Sequence, residues 1–245
     1  MHITSSQVSN LPQQTARFIL QKLTRYLSQN DTLLLLSGGS VGKEVVPELV
    51  KLFQNNPQSL ENLIVGLIDE RFGQAWHEQS NMLLLQKSGL LSFLESKHAT
   101  FLPILTDEHD ADWEAKRYEN VLNTILEKVA GRSIGILGIG ADGHTAGIKP
   151  QPDQATFDGI FMQANRLVVN YSGTDFERIT LTPLALQKLT QIVVYAKGEE
   201  KREALEKLQN GKAEDVYKYP AILLQKHPRV ELFSDNEKPA INELI

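Results

Sequence analysis

The residues best placed to do chemistry are Asp142 and His144, two positions apart in Gly138-Ile139-Gly140-Ala141-Asp142-Gly143-His144. A neutral imidazole accepts a proton near pH 7, so a histidine beside a carboxylate on a glycine-rich strand end can act as a general base. The local residues by themselves fit a turn histidine that only forms hydrogen bonds better than a catalytic one; the other clusters shift the balance. The same stretch matches G-x-G-x-x-G. Its strand is not the first of the chain, however, and Pro150 leaves little room for the helix a dinucleotide site needs.

A second cluster, Ser37-Gly38-Gly39-Ser40-Val41-Gly42-Lys43, offers free N–H groups at the entrance to a helix, which suits an anion such as phosphate. It departs from the nucleotide loop G-x-x-x-x-G-K-[ST]: Ser37 stands where the first glycine belongs, and Glu44 where a magnesium-binding hydroxyl belongs. A nucleoside triphosphatase is excluded, while a plain capped turn and an anion site both stay open. Asp69-Glu70-Arg71 ends another apolar run with charge. Such charges pair with one another or stay solvated unless an anionic substrate recruits Arg71. The run Glu199-Glu200-Lys201-Arg202 reads as a solvated helix face, and Lys201 at its start also suits a phosphate. His2, His77, His98, His109 and His227 are scattered without metal-ligand spacing. Trp76 and Trp113 are expected to pack rather than to hold a cofactor.

These clusters must be positioned by regular elements. Apolar residues recur at helical spacing over Leu11–Leu27, and helices are expected at Glu44–Phe53, Met82–Leu94, Asp112–Val129 and Glu199–Leu208. Apolar runs predict strands at Thr32–Leu36, Leu63–Ile68, Ser133–Leu137, Arg166–Asn170, Gln191–Ala196 and Val230–Phe233. Gln151–Gly159 is polar and is expected to be a loop. Strands separated by helices imply an α/β fold with a mostly parallel sheet covered on both faces. In such sheets ligands sit outside the carboxyl ends of the strands, so Ser37–Ser40, Asp69–Arg71 and Asp142–His144 are expected along one edge.

With 245 residues, 41% of them hydrophobic and 22% charged, the chain is globular rather than disordered, and no linker or repeat divides it. A single domain over residues 1–245 is expected. The net charge of −5 argues against a nucleic-acid-coating surface. The absence of cysteine excludes disulfides, thiolate metal sites and a cysteine nucleophile. No apolar stretch is long enough to span a membrane, and Met1–Ser6 does not open a secretory signal, so a cytoplasmic location is expected. Nothing in the sequence specifies an oligomeric state.

Taken together and in order, these blocks resemble the 6-phosphogluconolactonase family, which shares a superfamily with glucosamine-6-phosphate deaminases. The matching pieces are Leu36-Ser37-Gly38-Gly39-Ser40, Asp69-Glu70-Arg71 with Ser80-Asn81, Gly138 to Ala146, Arg178-Ile179-Thr180-Leu181-Thr182 and Gly198-Glu199-Glu200-Lys201. The resemblance implies a modified Rossmann-like α/β fold and hydrolysis of 6-phosphoglucono-1,5-lactone without metal or organic cofactor. The implied partner is a small phosphosugar, with no nucleic acid and no membrane. Carried over by position, His144 is implied as the base for water, Asp142 as its carboxylate companion and Arg71 as a cation on the substrate. Gly38, Gly39, Ser40 and Lys201 are implied as the phosphate cradle, with Asp69 and Arg178 also on the substrate. The chain departs from the family pattern at Gly147-Ile148-Lys149, at Val41-Gly42-Lys43 and at Gly73-Gln74. Two alternatives accompany this expectation. One is an amino-sugar-phosphate isomerase/deaminase with Asp69 as base and His144 assisting ring opening. That pattern carries a further carboxylate shortly after the Asp-Gly-His stretch, where this chain has Ile148 and Lys149 before Pro150, and a charged lysine cannot accept a proton. The other is a phosphosugar-binding domain without catalysis.

Overall fold

The computed structural model describes residues 2–5, 10–28, 30–56, 59–106 and 110–236. In chain order its elements are β1 (His2–Ser5), α1 (Leu11–Leu27), β2 (Thr32–Leu36), α2 (Val46–Gln54), β3 (Leu63–Leu67), β4 (Asp69–Arg71), α3 (Asn81–Lys87), α4 (Leu90–Ser96) and β5 (Thr100–Leu102). There follow α5 (Ala111–Val129), β6 (Ser133–Gly138), α6 (Gln154–Phe161), β7 (Val168–Ser172), β8 (Glu177–Leu181), α7 (Pro183–Lys188), β9 (Gln191–Ala196), α8 (Arg202–Asn210) and β10 (Val230–Ser234).

Every residue of β2 is buried. Successive side chains of a strand point to opposite faces, so a strand buried throughout must be covered on both. Helices α1 and α5 both pack on it. The apolar stripe of α1, with Leu11, Ala16, Ile19, Leu23 and Leu27 buried, supplies part of that cover. The main sheet has seven strands in the order β1-β10-β9-β6-β2-β3-β5, and all its pairings are parallel. This is the expected α/β, Rossmann-like architecture. Among the described residues no helix is long and apolar enough to cross a membrane.

Several elements differ from the sequence expectation. Asp69–Arg71 does not continue β3. The chain turns out of the main sheet at Ile68 and enters a second, antiparallel sheet, β4-β8-β7. Gln151–Gly159 is not a loop throughout: Asp153 caps α6 by accepting the Thr156 N–H at 2.8 Å, and Phe157 and Phe161 are buried. The helix expected over Met82–Leu94 is broken into α3 and α4 at Gly89, which takes a left-handed φ of 82°. Trp76 and Trp113 are 45% and 39% exposed, so neither is a core residue.

Candidate active site

The order β9-β6-β2 places three strand ends side by side, and each delivers one of the polar clusters. Ser37–Ser40 follows β2, Ile139–His144 follows β6, and Gly198–Lys201 follows β9. The small sheet closes the fourth side, with Asp69 and Arg71 on β4 and Arg178 on β8. Together they line a cavity of about 260 Å³. The structure therefore brings Gly38, Gly39, Ser40, Asp69, Arg71, His144, Arg178 and Lys201 to one cavity. Asp142 is not on its wall; it is bonded to His144 and Lys149, which are.

The turn after β2 is built around a close approach. A Cβ at Gly38 would lie 1.8 Å from Asn81 Oδ1, so only glycine admits Asn81 there. Asn81 in turn donates from Nδ2 to the Asp69 backbone oxygen at 2.8 Å, tying the turn to β4. Past the turn, Val41–Val45 forms a π-helical turn that leads into α2. Its Glu44 accepts from Tyr195 and Lys197, each at 2.8 Å, which fastens this turn to β9. Burial opposes ionisation of Glu44, but these two partners outweigh it and lower its pKa. The side chain of Lys201 faces the same cavity without a protein partner among the described residues.

The Asp142–His144 pair depends on a second glycine. A Cβ at Gly140 would come within 2.0 Å of His144 Nδ1 and 2.4 Å of Asp142 Oδ1. With that space free, His144 Nδ1 hydrogen-bonds Asp142 Oδ1, and the His144 backbone N–H reaches the same oxygen at 3.1 Å. Nε2 is left without a partner among the described residues. Lys149 Nζ lies 3.2 Å from Asp142 Oδ2 and 3.3 Å from His144 Nδ1. Burial raises the Asp142 pKa, but the bonds and charge of His144, then the charge of Lys149, hold the carboxyl well below the usual range.

The three charges of Asp69-Glu70-Arg71 have three different settings. Asp69 is buried on the cavity wall, and desolvation raises its pKa despite the charges of Arg178, His144 and Arg71. Glu70 is fully buried and accepts the N–H groups of Arg71, Asn81 and Met82 at 2.8, 2.7 and 2.9 Å, which caps α3. Arg71 donates to the Gln79 carbonyl and keeps a buried Nε with no partner.

Sequence reasoning missed Asp175 as a site residue; it read Lys149 as a departure from the family pattern, standing where the deaminase pattern has a carboxylate, and not as a contact of His144. Asp175 accepts from Arg178 Nη2 at 2.6 Å and lines the cavity; its three-residue spacing from Arg178 carried no recognisable signal. The other histidines are elsewhere: His77 Nε2 bonds the Arg71 carbonyl at 3.0 Å, and His227 is buried with Nε2 2.8 Å from the Leu189 carbonyl. His109 lies outside the described residues. Among the described residues no group of three or more His, Asp or Glu side chains is disposed to hold a metal ion.

The family model for glucosamine-6-phosphate isomerases/6-phosphogluconolactonase matches residues 6–232. A glucosamine-6-phosphate deaminase of Staphylococcus saprophyticus is 29% identical over 235 residues, covering 90% of this chain and 92% of the relative. The crystal structure of a 6-phosphogluconolactonase from Shewanella baltica is similar with a TM-score of 0.76 and 25% identity, over 96% of this chain and 97% of that one. A monomeric glucosamine-6-phosphate deaminase gives a TM-score of 0.77 at 19% identity, over 97% and 98% of the two chains.

Proposed function

The chain belongs to the family of glucosamine-6-phosphate isomerases and 6-phosphogluconolactonases, and from that premise we propose that, as one domain over residues 1–245, it hydrolyses 6-phospho-D-glucono-1,5-lactone to 6-phosphogluconate. The observation that carries this reading is Lys149. Deamination calls for a further carboxylate just after the Asp-Gly-His stretch, to help open the sugar ring. The side chain that meets the His144–Asp142 pair there is an ammonium. An ammonium only donates hydrogen bonds and has no lone pair for a proton. A lactone is already an activated carbonyl, so its hydrolysis asks for water, a base and donors to the developing oxyanion.

In this reading the glycine turn, Arg178 and Lys201 hold the phosphate, which fixes carbon 1 against His144. Asp142 accepts from Nδ1–H, leaving Nε2 as the basic nitrogen. His144 takes a proton from water as the water oxygen bonds to carbon 1. The bond from carbon 1 to the ring oxygen then breaks, and the ring oxygen leaves as a hydroxyl with the proton His144 returns. Arg71 adds positive charge beside the substrate.

One observation favours the deaminase as a second reading. Asp69 lines the cavity with a raised pKa, as a base that shuttles a proton on a sugar would require. The test is the rate of lactone opening above its spontaneous background with the purified protein. Turnover dependent on the protein supports the proposal, and a rate equal to background overturns it.

A further inference from the structure

The backbone that leads into Lys149 is held by its surroundings. Its turn is closed by bridges of Thr145 to Ile139 and to Ile148. Ile148 beside it is buried, and the Tyr171 hydroxyl donates to the Gly147 carbonyl at 2.6 Å. From this backbone the Lys149 side chain reaches the cavity wall, where its ammonium bonds Asp142 Oδ2 and lies next to the imidazole. It has three N–H donors, and Asp142 Oδ2 takes one. His144 Nδ1 is already engaged with Asp142 Oδ1 and accepts nothing while it carries the proton. Two donors are thus left for a ligand in the cavity, beside the imidazole.

We propose that Lys149 is a second anion anchor, which binds the exocyclic oxygen on carbon 1 of the substrate. In the lactone that atom is the carbonyl oxygen; in the product it is a carboxylate oxygen. This deepens the lactonase reading and rests on it. It assigns the site to aldonic acid phosphates and their lactones, ligands with an acceptor or anion at both ends. It disfavours amino-sugar phosphates, whose ammonium would meet a like charge.

Binding separates this role from the chemistry. Dissociation constants of 6-phosphogluconate and glucitol 6-phosphate, which has a neutral hydroxymethyl in place of the carboxylate, are measured by calorimetry on the wild type and on Lys149→Met. The wild type should prefer the acid by roughly 10-fold or more, the effect of one charge-assisted contact. Lys149→Met should reduce the preference below about 3-fold, through weaker binding of the acid alone. Lys149→Arg should keep most of it. Should Lys149→Met fail to fold, Lys149→Gln replaces it with the same expected loss. The proposal is overturned if the wild type binds both ligands alike, if the neutral variant keeps the preference, or if it loses both ligands equally. A wild type that shows the Lys149-dependent preference yet leaves the lactone at its spontaneous rate would uphold the anchor and overturn the lactonase reading.

Discussion

Arg71 and Arg178 stand directly opposite each other in the antiparallel pairing of β4 with β8. Like charges in such a pair repel. Both guanidinium groups lie near the ring of Phe176, at 5.5 and 5.7 Å from its centroid, and each has a buried Nε with no hydrogen-bond partner. An anion bound at this face converts the repulsion into charge-assisted hydrogen bonds. Phosphate and phosphosugars should therefore raise the Tm of the wild type by more than that of Arg71→Met or Arg178→Met. Thermal scans with and without ligand measure this. Equal ligand-induced shifts in all three proteins would remove the pair from anion binding.

The Asp142–His144 bond makes a kinetic prediction. His144→Ala should lower kcat by about 10²–10⁴-fold with little change in KM, the usual contribution of a positioned base. Asp142→Asn should lower kcat by a factor within the same range, because an amide no longer dictates which imidazole nitrogen carries the proton. Steady-state assays with the spontaneous reaction subtracted decide it. Full activity in His144→Ala would exclude this histidine from the reaction.

Lys201 should act on binding instead. Losing one charge-assisted contact costs roughly 1.5–3 kcal/mol, about 10- to 150-fold in affinity. Lys201→Ala should raise KM and weaken phosphosugar binding on that scale while kcat changes far less. A variant whose kcat falls and whose KM is unchanged would place Lys201 away from the phosphate.

Parts of this arrangement were legible in the residues themselves and parts were not. Thr32–Leu36 and Gln191–Ala196 announce themselves because strands buried on both faces need an unbroken apolar run. The pairing of β4 with β8 is hidden for the opposite reason. One face of that ribbon borders the cavity, so Asp69, Arg71 and Arg178 occupy positions where a strand pattern would show apolar residues. The glycine-rich turns were visible as candidates, yet Gly38 and Gly140 make room for Asn81 and for the His144 ring, which only the folded chain reveals. Lys149 was legible as the residue standing where the deaminase pattern has a carboxylate, but its approach to His144 Nδ1 at 3.3 Å shows only in the folded chain.

Glu70 sets a pH dependence of stability. Burial outweighs its backbone N–H partners and raises its pKa from 4.5 to about 7. Between these values the native state retains a proton that the unfolded chain has released. The group's contribution is thus complete below pH 4.5 and is lost as pH rises towards 7. The loss amounts to roughly 3 kcal/mol. In Glu70→Gln this part of the slope should vanish. Urea unfolding of both proteins across that window measures it, and a wild-type-minus-variant difference independent of pH would refute the assignment.

The two family reactions are separated by assaying both with one protein preparation. Lactone opening and ammonia release from glucosamine 6-phosphate are followed for the wild type and for Asp69→Asn at neutral pH. The wild type should open 6-phosphogluconolactone well above the spontaneous rate and release no ammonia. Ammonia release that disappears in Asp69→Asn would contradict the lactonase reading.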